Sequence, residues 1–397
     1  MHANLVILLL ALSIGLQPVS TDLYLPGLPG MALDLQASVG MVQYTLSGLL
    51  LAFGISQLFW GPFSDKVGRR PIMLTGLVVY AVAAVGCVLS PSIEVLVAWR
   101  VLQGAAMGAV ITSARAVVRD LYTPLHGAKV MSKAMTGLGL MACTSPPLGG
   151  FLSQHWGWRV AMMTVVSYAL FTLGVVAWRF KETITTRNPN ALHLPTMLRI
   201  WGEVLRNPTF RAFALLSLAA YGALFTYLAS SSFIFIEVLQ LTGLQLGWIL
   251  ASMSVVYITG TIVCRFLLRH IGMRKTIALA GLFSFGSGMS LCAMVYGGEP
   301  SAMGLMLAMY PMVLAHGVHQ PIGQSGAVGP FPLAAGAASA MNGFLMMVAA
   351  FATGIWLSHS LDGSLFPLAH GMAFWGTVLA LTAWTLVQWH GEPDRAP

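Results

Sequence analysis

The sequence predicts an all-α integral membrane protein whose twelve transmembrane helices fall into two pseudo-symmetric six-helix bundles. Three observations predict it. Of 397 residues, 57% are hydrophobic and only 8% are charged, whereas a soluble domain carries about 25% charge. Apolar runs of roughly 20 residues, long enough to cross a bilayer, succeed one another along the whole chain. Lys and Arg gather in alternate connections between those runs. This composition excludes a water-soluble enzyme. The net charge of +8 reports topology and not nucleic-acid binding, because the basic residues sit between apolar runs. Helices are required because backbone groups in hydrocarbon have no water partner, and no alternating barrel pattern repeats.

Runs bounded by charge, Gly and Pro place the first six helices near residues 4–28, 40–63, 71–90, 94–115, 129–153 and 157–178. The second six fall near 211–236, 245–268, 276–297, 301–322, 335–358 and 366–389. The run that begins near Met1 lacks a basic start and a cleavage site, so it reads as a retained first helix and not a signal peptide. Residues 1–180 then form an N-terminal bundle, 181–210 a cytoplasmic linker with Pro189, Pro195 and Pro208, and 211–397 a C-terminal bundle. Within the linker, Arg199 to Arg206 suits either an interfacial amphipathic helix or a plain loop.

An even number of spans puts both termini on one side. All Lys and Arg except Arg100 and Arg159 then face that side: Lys66, Arg69, Arg70, Arg115, Arg119, Lys129, Lys133, Arg179, Lys181, Arg187, Arg199, Arg206, Arg211, Arg265, Arg269, Arg274, Lys275 and Arg395. The excess marks it as the cytoplasm. An internal echo supports duplication: Val67-Gly68-Arg69-Arg70-Pro71 aligns with Ile271-Gly272-Met273-Arg274-Lys275 at an offset of 204 residues, from 67 to 271.

Four segments hold chemistry that an apolar chain does not need for folding alone. Gly61-Pro62-Phe63-Ser64-Asp65-Lys66-Val67-Gly68-Arg69-Arg70-Pro71 reads as a tight cytoplasmic turn. Gly68 relieves its backbone strain, and Asp65 is available to an arginine or a helix N-terminus across the interface between the halves. Arg100-Val101-Leu102-Gln103-Gly104 places a cation inside the fourth span, where it needs a partner or a water-filled cavity. The other reading of Arg100 is a side chain snorkelling outward beside Glu94. Gly104 and Gly108 permit close helix approach. Asp22, in Ser20-Thr21-Asp22-Leu23-Tyr24-Leu25-Pro26, is the only carboxylate well inside an apolar run. Desolvation and a nearby Arg act on such an acid in opposite senses, so its protonation can fall in the working range and Asp22 becomes a candidate proton carrier. The other reading of Asp22 is an outer cap or turn residue of the Pro-rich end, because Pro26 and Pro29 follow. In Thr144-Ser145-Pro146-Pro147-Leu148-Gly149-Gly150, proline bends the fifth helix and glycine admits a neighbouring backbone.

These segments resemble the major facilitator superfamily. The first is similar to its G-x-x-x-D-[RK]-x-G-[RK]-[RK] signature and the second to its R-x-x-Q-G element. The last, with Gly137 or Gly139 upstream, is similar to the P-x-x-G-G element of its antiporters. Together with Asp22 to Pro29 and Phe331 to Ala340, they resemble the Bcr/CflA branch of drug:proton antiporters. The resemblance implies a bacterial inner-membrane exporter of small amphipathic compounds such as antibiotics. It would be driven by protons without a cofactor and would work as a monomer with both termini cytoplasmic. It implies proton coupling at Asp22, Arg100 and Gln103. It implies a cytoplasmic gate at Gly61, Asp65, Gly68, Arg69 and Arg70, and an antiport seal at Pro146, Pro147, Gly149 and Gly150.

Tyr24, Tyr44, Phe53, Tyr221, Phe225 and Tyr257 are candidates for lining a substrate cavity, although helix aromatics also serve packing. His316 and His319 suit a proton relay or plain packing. Cys87, Cys143, Cys264 and Cys292 are scattered singly and read as packing residues, with no metal site. The rival readings are a metabolite uniporter or importer, a polytopic membrane enzyme and a ligand sensor. Dispersed single carboxylates argue against an enzyme.

Overall fold

The structure, a computed structural model, describes residues 3–122, 124–184, 187, 191–298 and 301–391. Pro189 and Arg395 lie outside the described residues. Every regular element among the described residues is a helix, without a strand. They run α1 (Ala3–Thr21), a 3-10 turn (Leu25–Gly27), α2 (Leu28–Asp34), α3 (Val39–Val67), α4 (Arg69–Val88), α5 (Ile93–Leu121), α6 (Pro124–Trp156) and α7 (Trp158–Arg179). Then follow α8 (Leu194–Arg206), α9 (Pro208–Ser232) with a π-helical tail (Phe233–Val238), α10 (Gly243–Tyr296), α11 (Ala302–Val328), α12 (Ala335–Ser360), α13 (Phe366–Trp384) and α14 (Leu386–His390).

Ten segments are long and apolar enough to cross a membrane. One of them, the 54-residue α10, is two crossings joined at Gly272, whose φ of 75° and ψ of 172° break the helix. With the 33-residue α6, the twelve expected spans are present. Gly68, at the matching position of the first half, has φ 123° and joins α3 to α4. Both glycines therefore sit in the left-handed region that a side chain resists, which is the physical content of the sequence echo.

Helix starts follow local chemistry. Ser38, Asn207 and Ser301 each accept a hydrogen bond from the backbone N–H three residues on, at Met41, Phe210 and Gly304. The first span departs from one continuous run. The Asp22 N–H still donates to the Pro18 carbonyl at 2.8 Å, but Pro26 and Pro29 have no N–H to continue the ladder. The chain turns at residues 22–24 and restarts through the 3-10 turn as α2. The linker segment Arg199 to Arg206 is helical, as part of α8, which settles the loop alternative.

By internal contacts the chain divides into two units. The first is Met1–Met197 with Thr242–Ala251; the second is Leu198–Leu241 with Ser252–Pro397. In the first, α5 packs on both α3 and α4, and α1 packs on α6. In the second, α9 is the hub against which α11, α12 and α13 pack.

The α3/α5 contact depends on two glycines of α5. A Cβ on Gly104 would overlap the Leu49 backbone carbonyl, and one on Gly108 would overlap only the Ser56 hydroxyl. Backbone cannot yield where a hydroxyl can rotate. Gly104→Ala is therefore expected to destabilise the protein by about 1–3 kcal/mol, as overpacking does, and Gly108→Ala by less. Thermal unfolding in detergent checks this, and equal losses would contradict it.

Candidate functional site

Two polar clusters lie in the first unit. In one, Arg100 of α5 has no exposed surface. Its Nε donates to the Thr45 carbonyl at 3.2 Å, one terminal nitrogen to the Gln103 Oε1 at 2.8 Å, and the other to the Ser20 carbonyl at 2.7 Å. The guanidinium also lies 4.3 Å from the Tyr24 ring centroid, a cation–π contact that strengthens where water is excluded. The Tyr24 hydroxyl is hydrogen-bonded to the Thr45 hydroxyl at 3.1 Å, and the Ser20 and Tyr80 hydroxyls are hydrogen-bonded to each other. Side chains from α4 and α5 thus close on the last turn of α1, and one from α3 on Tyr24 just beyond it. The snorkelling alternative is excluded, because every donor of Arg100 described here points inward.

Sequence placed Asp22 with Arg100, and the structure links them only indirectly. Asp22 occupies the turn just after α1, half-buried, and its Oδ1 accepts from the Thr21 hydroxyl at 2.7 Å. Among the described residues no ion pair joins it to Arg100. Instead Arg100 grips the Ser20 carbonyl, two residues before Asp22. A cation there offsets the negative end of the α1 dipole and fixes where the Asp22 turn begins.

The Pro146 to Gly150 segment of α6 meets the same turn. A Cβ on Gly149 would overlap the Leu23 carbonyl, so α6 touches backbone one residue beyond Asp22. On its other side, a Cβ on Gly150 would overlap the Gly243 carbonyl. A Cβ on Gly247 would lie 2.6 Å from Pro147 and 2.7 Å from the Pro146 carbonyl. The segment is thus wedged between the break in α1 and the first turns of α10, which belong to the same unit.

The second cluster lies at the α3/α4 turn. Arg69, almost fully buried, pairs with Asp65 at 2.6 Å and with Asp120 of α5 at 2.9 Å, and donates to the Ser64 hydroxyl at 2.5 Å. The arginine that meets Asp65 is therefore one turn along in its own segment, where a partner from the opposite half was expected. Gly61 is half-buried, 3.6 Å from Thr112 by its would-be Cβ. Arg70 reaches the end of α7, donating from Nε to the Phe180 carbonyl at 2.8 Å and from a terminal nitrogen to the Ala177 carbonyl at 3.0 Å. Glu182, beyond α7, accepts from the backbone N–H groups of Arg69 at 3.0 Å, Arg70 at 3.1 Å, Thr183 at 2.9 Å and Ile184 at 3.2 Å. Burial acts to raise its carboxyl, but these four donors outweigh that and hold it below the usual range. Its contacts therefore persist above the ordinary carboxylate range and are lost only as pH falls through the lowered value.

Asp120 and Glu182 were missed by sequence reasoning. The one available signal was that each acid adjoins basic residues at the end of a span on the same side as the α3/α4 turn. Of the cavity candidates, Tyr24 lies under Arg100, Phe53, Tyr221 and Phe225 are buried, and Tyr44 is half-buried. Tyr257 faces His316 at 5.5 Å between ring centroids. His316 and His319 do not pair: one bonds to the Ala220 carbonyl at 3.0 Å, the other to the Ser284 hydroxyl at 3.2 Å. Asn342 and Gln320 both donate to the Met346 sulfur, at 3.9 and 3.7 Å.

Known proteins share this architecture. The sequence profile of the Major Facilitator Superfamily matches residues 10–354. Multidrug resistance protein D of Escherichia coli (strain K12) is 28% identical over 86% of this chain and 85% of its own. The Bicyclomycin resistance protein homolog of Haemophilus influenzae is 27% identical over 70% and 69%. The uncharacterized MFS-type transporter YdgK of Bacillus subtilis is 32% identical, over 56% of each chain. Among solved structures, the partially occluded inward-open xylose transporter XylE from E. coli superposes with a TM-score of 0.76 at 14% identity, covering 99% of this chain and 98% of that one. Human organic anion transporter MFSD10 gives 0.65 at 18% identity, over 97% and 100%. These two show the fold alone. The chain belongs to the Major Facilitator Superfamily, multi-pass membrane transporters and not enzymes.

Proposed function

We propose that the chain is a drug:proton antiporter of the Bcr/CflA type, exporting small amphipathic compounds by alternating access between two six-helix bundles. The names of its relatives, multidrug resistance protein D and bicyclomycin resistance protein homolog, support export of antibiotics. One observation in the structure carries the coupling: the Pro146 to Gly150 wedge ends on the short turn that holds Asp22, and the Arg100 grip ends on the last turn of α1 immediately before it. A change of charge on Asp22 therefore acts where the turn after α1 meets α6 at its backbone.

In this reading the protein sits in the bacterial inner membrane with both termini cytoplasmic, and the proton gradient replaces any cofactor. A proton crossing about 100 mV gains about 2.3 kcal/mol from voltage alone. The compound binds from the cytoplasm with Asp22 ionised. The bundles rock, and protonation of Asp22 from outside weakens binding and releases the compound. Arg100 and Gln103 hold the end of α1 while this happens. Gly61, Asp65, Gly68, Arg69 and Arg70 close the cytoplasmic gate, and Pro146, Pro147, Gly149 and Gly150 seal against leak.

Reconstitution into vesicles with an imposed pH gradient tests the reading across a panel that includes bicyclic antibiotics and chloramphenicol. Wild type is expected to move compound against its gradient, and Asp22→Asn to fall to the rate seen without a pH gradient. Unchanged driven transport by Asp22→Asn would remove that residue from coupling, and downhill movement indifferent to pH in wild type would favour a uniporter. Arg100→Lys replaces a three-way fork by a point charge and is expected to cost about 1.5–3 kcal/mol for each hydrogen bond lost, read as reduced thermal stability. Wild-type stability in that variant would contradict the grip on α1.

A further inference from the structure

We propose that Glu182 is a positioning residue of the gate, and that residues 180–184, at the head of the linker, form a clasp that sets the turn at Gly68. The proposal rests on the reading of the α3/α4 turn as a gate.

The first N–H groups of a helix have no partner within it, and they form the positive end of its dipole. At α4 those groups belong to Arg69 and Arg70, and one carboxylate answers both, Oε1 at 3.0 Å and Oε2 at 3.1 Å. Gly68 is shaped for the same carboxylate. A Cβ there would lie 2.5 Å from the Glu182 Oε2, and its φ of 123° already disfavours a side chain. The glycine thus serves the turn and the clasp at once.

Bonds run in the other direction too. Arg70 places its guanidinium on the Ala177 and Phe180 carbonyls, at the negative end of α7. The Thr183 hydroxyl donates to Asp120 at 3.0 Å, and Asp120 is the second carboxylate holding Arg69. Backbone on one side and guanidinium on the other are therefore both fixed by the segment that leaves α7. Movement of α4 must take residues 180–184 with it or break these bonds, so this head of the linker is a wall of the gate and not a slack tether.

The test uses the full chain in lipid nanodiscs, its four cysteines replaced, with nitroxide labels at Lys66→Cys and Arg269→Cys, one in each unit. Electron–electron distance distributions are compared for the wild-type gate, Asp65→Asn, Glu182→Gln and Glu182→Ala. Glu182→Ala is expected to shift the distribution in the same sense as Asp65→Asn and to lower kcat for export several-fold with KM little changed. Glu182→Gln, which keeps one acceptor oxygen, is expected to fall between. A cycle with Gly68→Ala adds a readout that general loosening would not move: its defect is expected to be smaller in the Glu182→Ala background, because the overlapping carboxylate is gone. A shift for Asp65→Asn with none for the Glu182 variants would overturn the positioning role alone. No shift for Asp65→Asn would overturn the gate reading and the positioning role with it. A Gly68→Ala defect identical in both backgrounds would overturn the clasp. Should Glu182→Ala fail to reach the membrane, the Glu182→Gln comparison decides by the same criteria.

Discussion

A guanidinium without exposed surface persists inside a membrane bundle only if its donors are met, because removing a charge from water costs several kcal/mol even after the protein relaxes. Arg100 meets this constraint with oxygens from three elements: the Ser20 carbonyl of α1, the Thr45 carbonyl of α3 and the Gln103 amide of its own helix α5. The consequence is geometric. The last turn of α1 cannot drift without stranding a buried cation, so the turn that follows, with Asp22 in it, has a fixed origin. On that origin α6 seats Gly149 against the Leu23 carbonyl.

The same device recurs at the α3/α4 turn. Arg70 caps the carbonyls at the end of α7, and Glu182 caps the amides at the start of α4. In a chain with few charges, helix ends serve as partners: cations lie on carbonyl ends and an anion lies on an amide end, each in the sense that the helix dipole favours. Charges held by backbone in this way become levers, since a change of protonation or of helix position must be passed on to the element that supplies the oxygen or the N–H.

Much of the architecture was legible in the sequence because it rests on local properties. Apolar run length gave the spans, Gly68 and Gly272 marked two equivalent turns, and the prolines after Thr21 warned of a disturbed end to the first helix. The resemblance to known motifs located Asp65, Arg69, Arg100 and the Pro146 to Gly150 segment. What could not be read were the partners. Ser20 and Thr45 meet Arg100 through backbone carbonyls, which every residue possesses, so no residue type announces them. Asp120 and Glu182 approach Arg69 only because α5 and α7 end beside the α3/α4 turn, and that proximity is a property of packing. The break at residues 22–24 likewise turns a helix-embedded acid into one at a turn, a difference that apolar periodicity does not resolve.

The account centres on Asp22 exchanging a proton as compound is bound and released. The most direct measurement is proton release on binding of a transported compound to the detergent-solubilised chain in weakly buffered solution near neutral pH. The account predicts that wild type releases protons when the compound binds and that Asp22→Asn binds without release. Equal release from both proteins would contradict it.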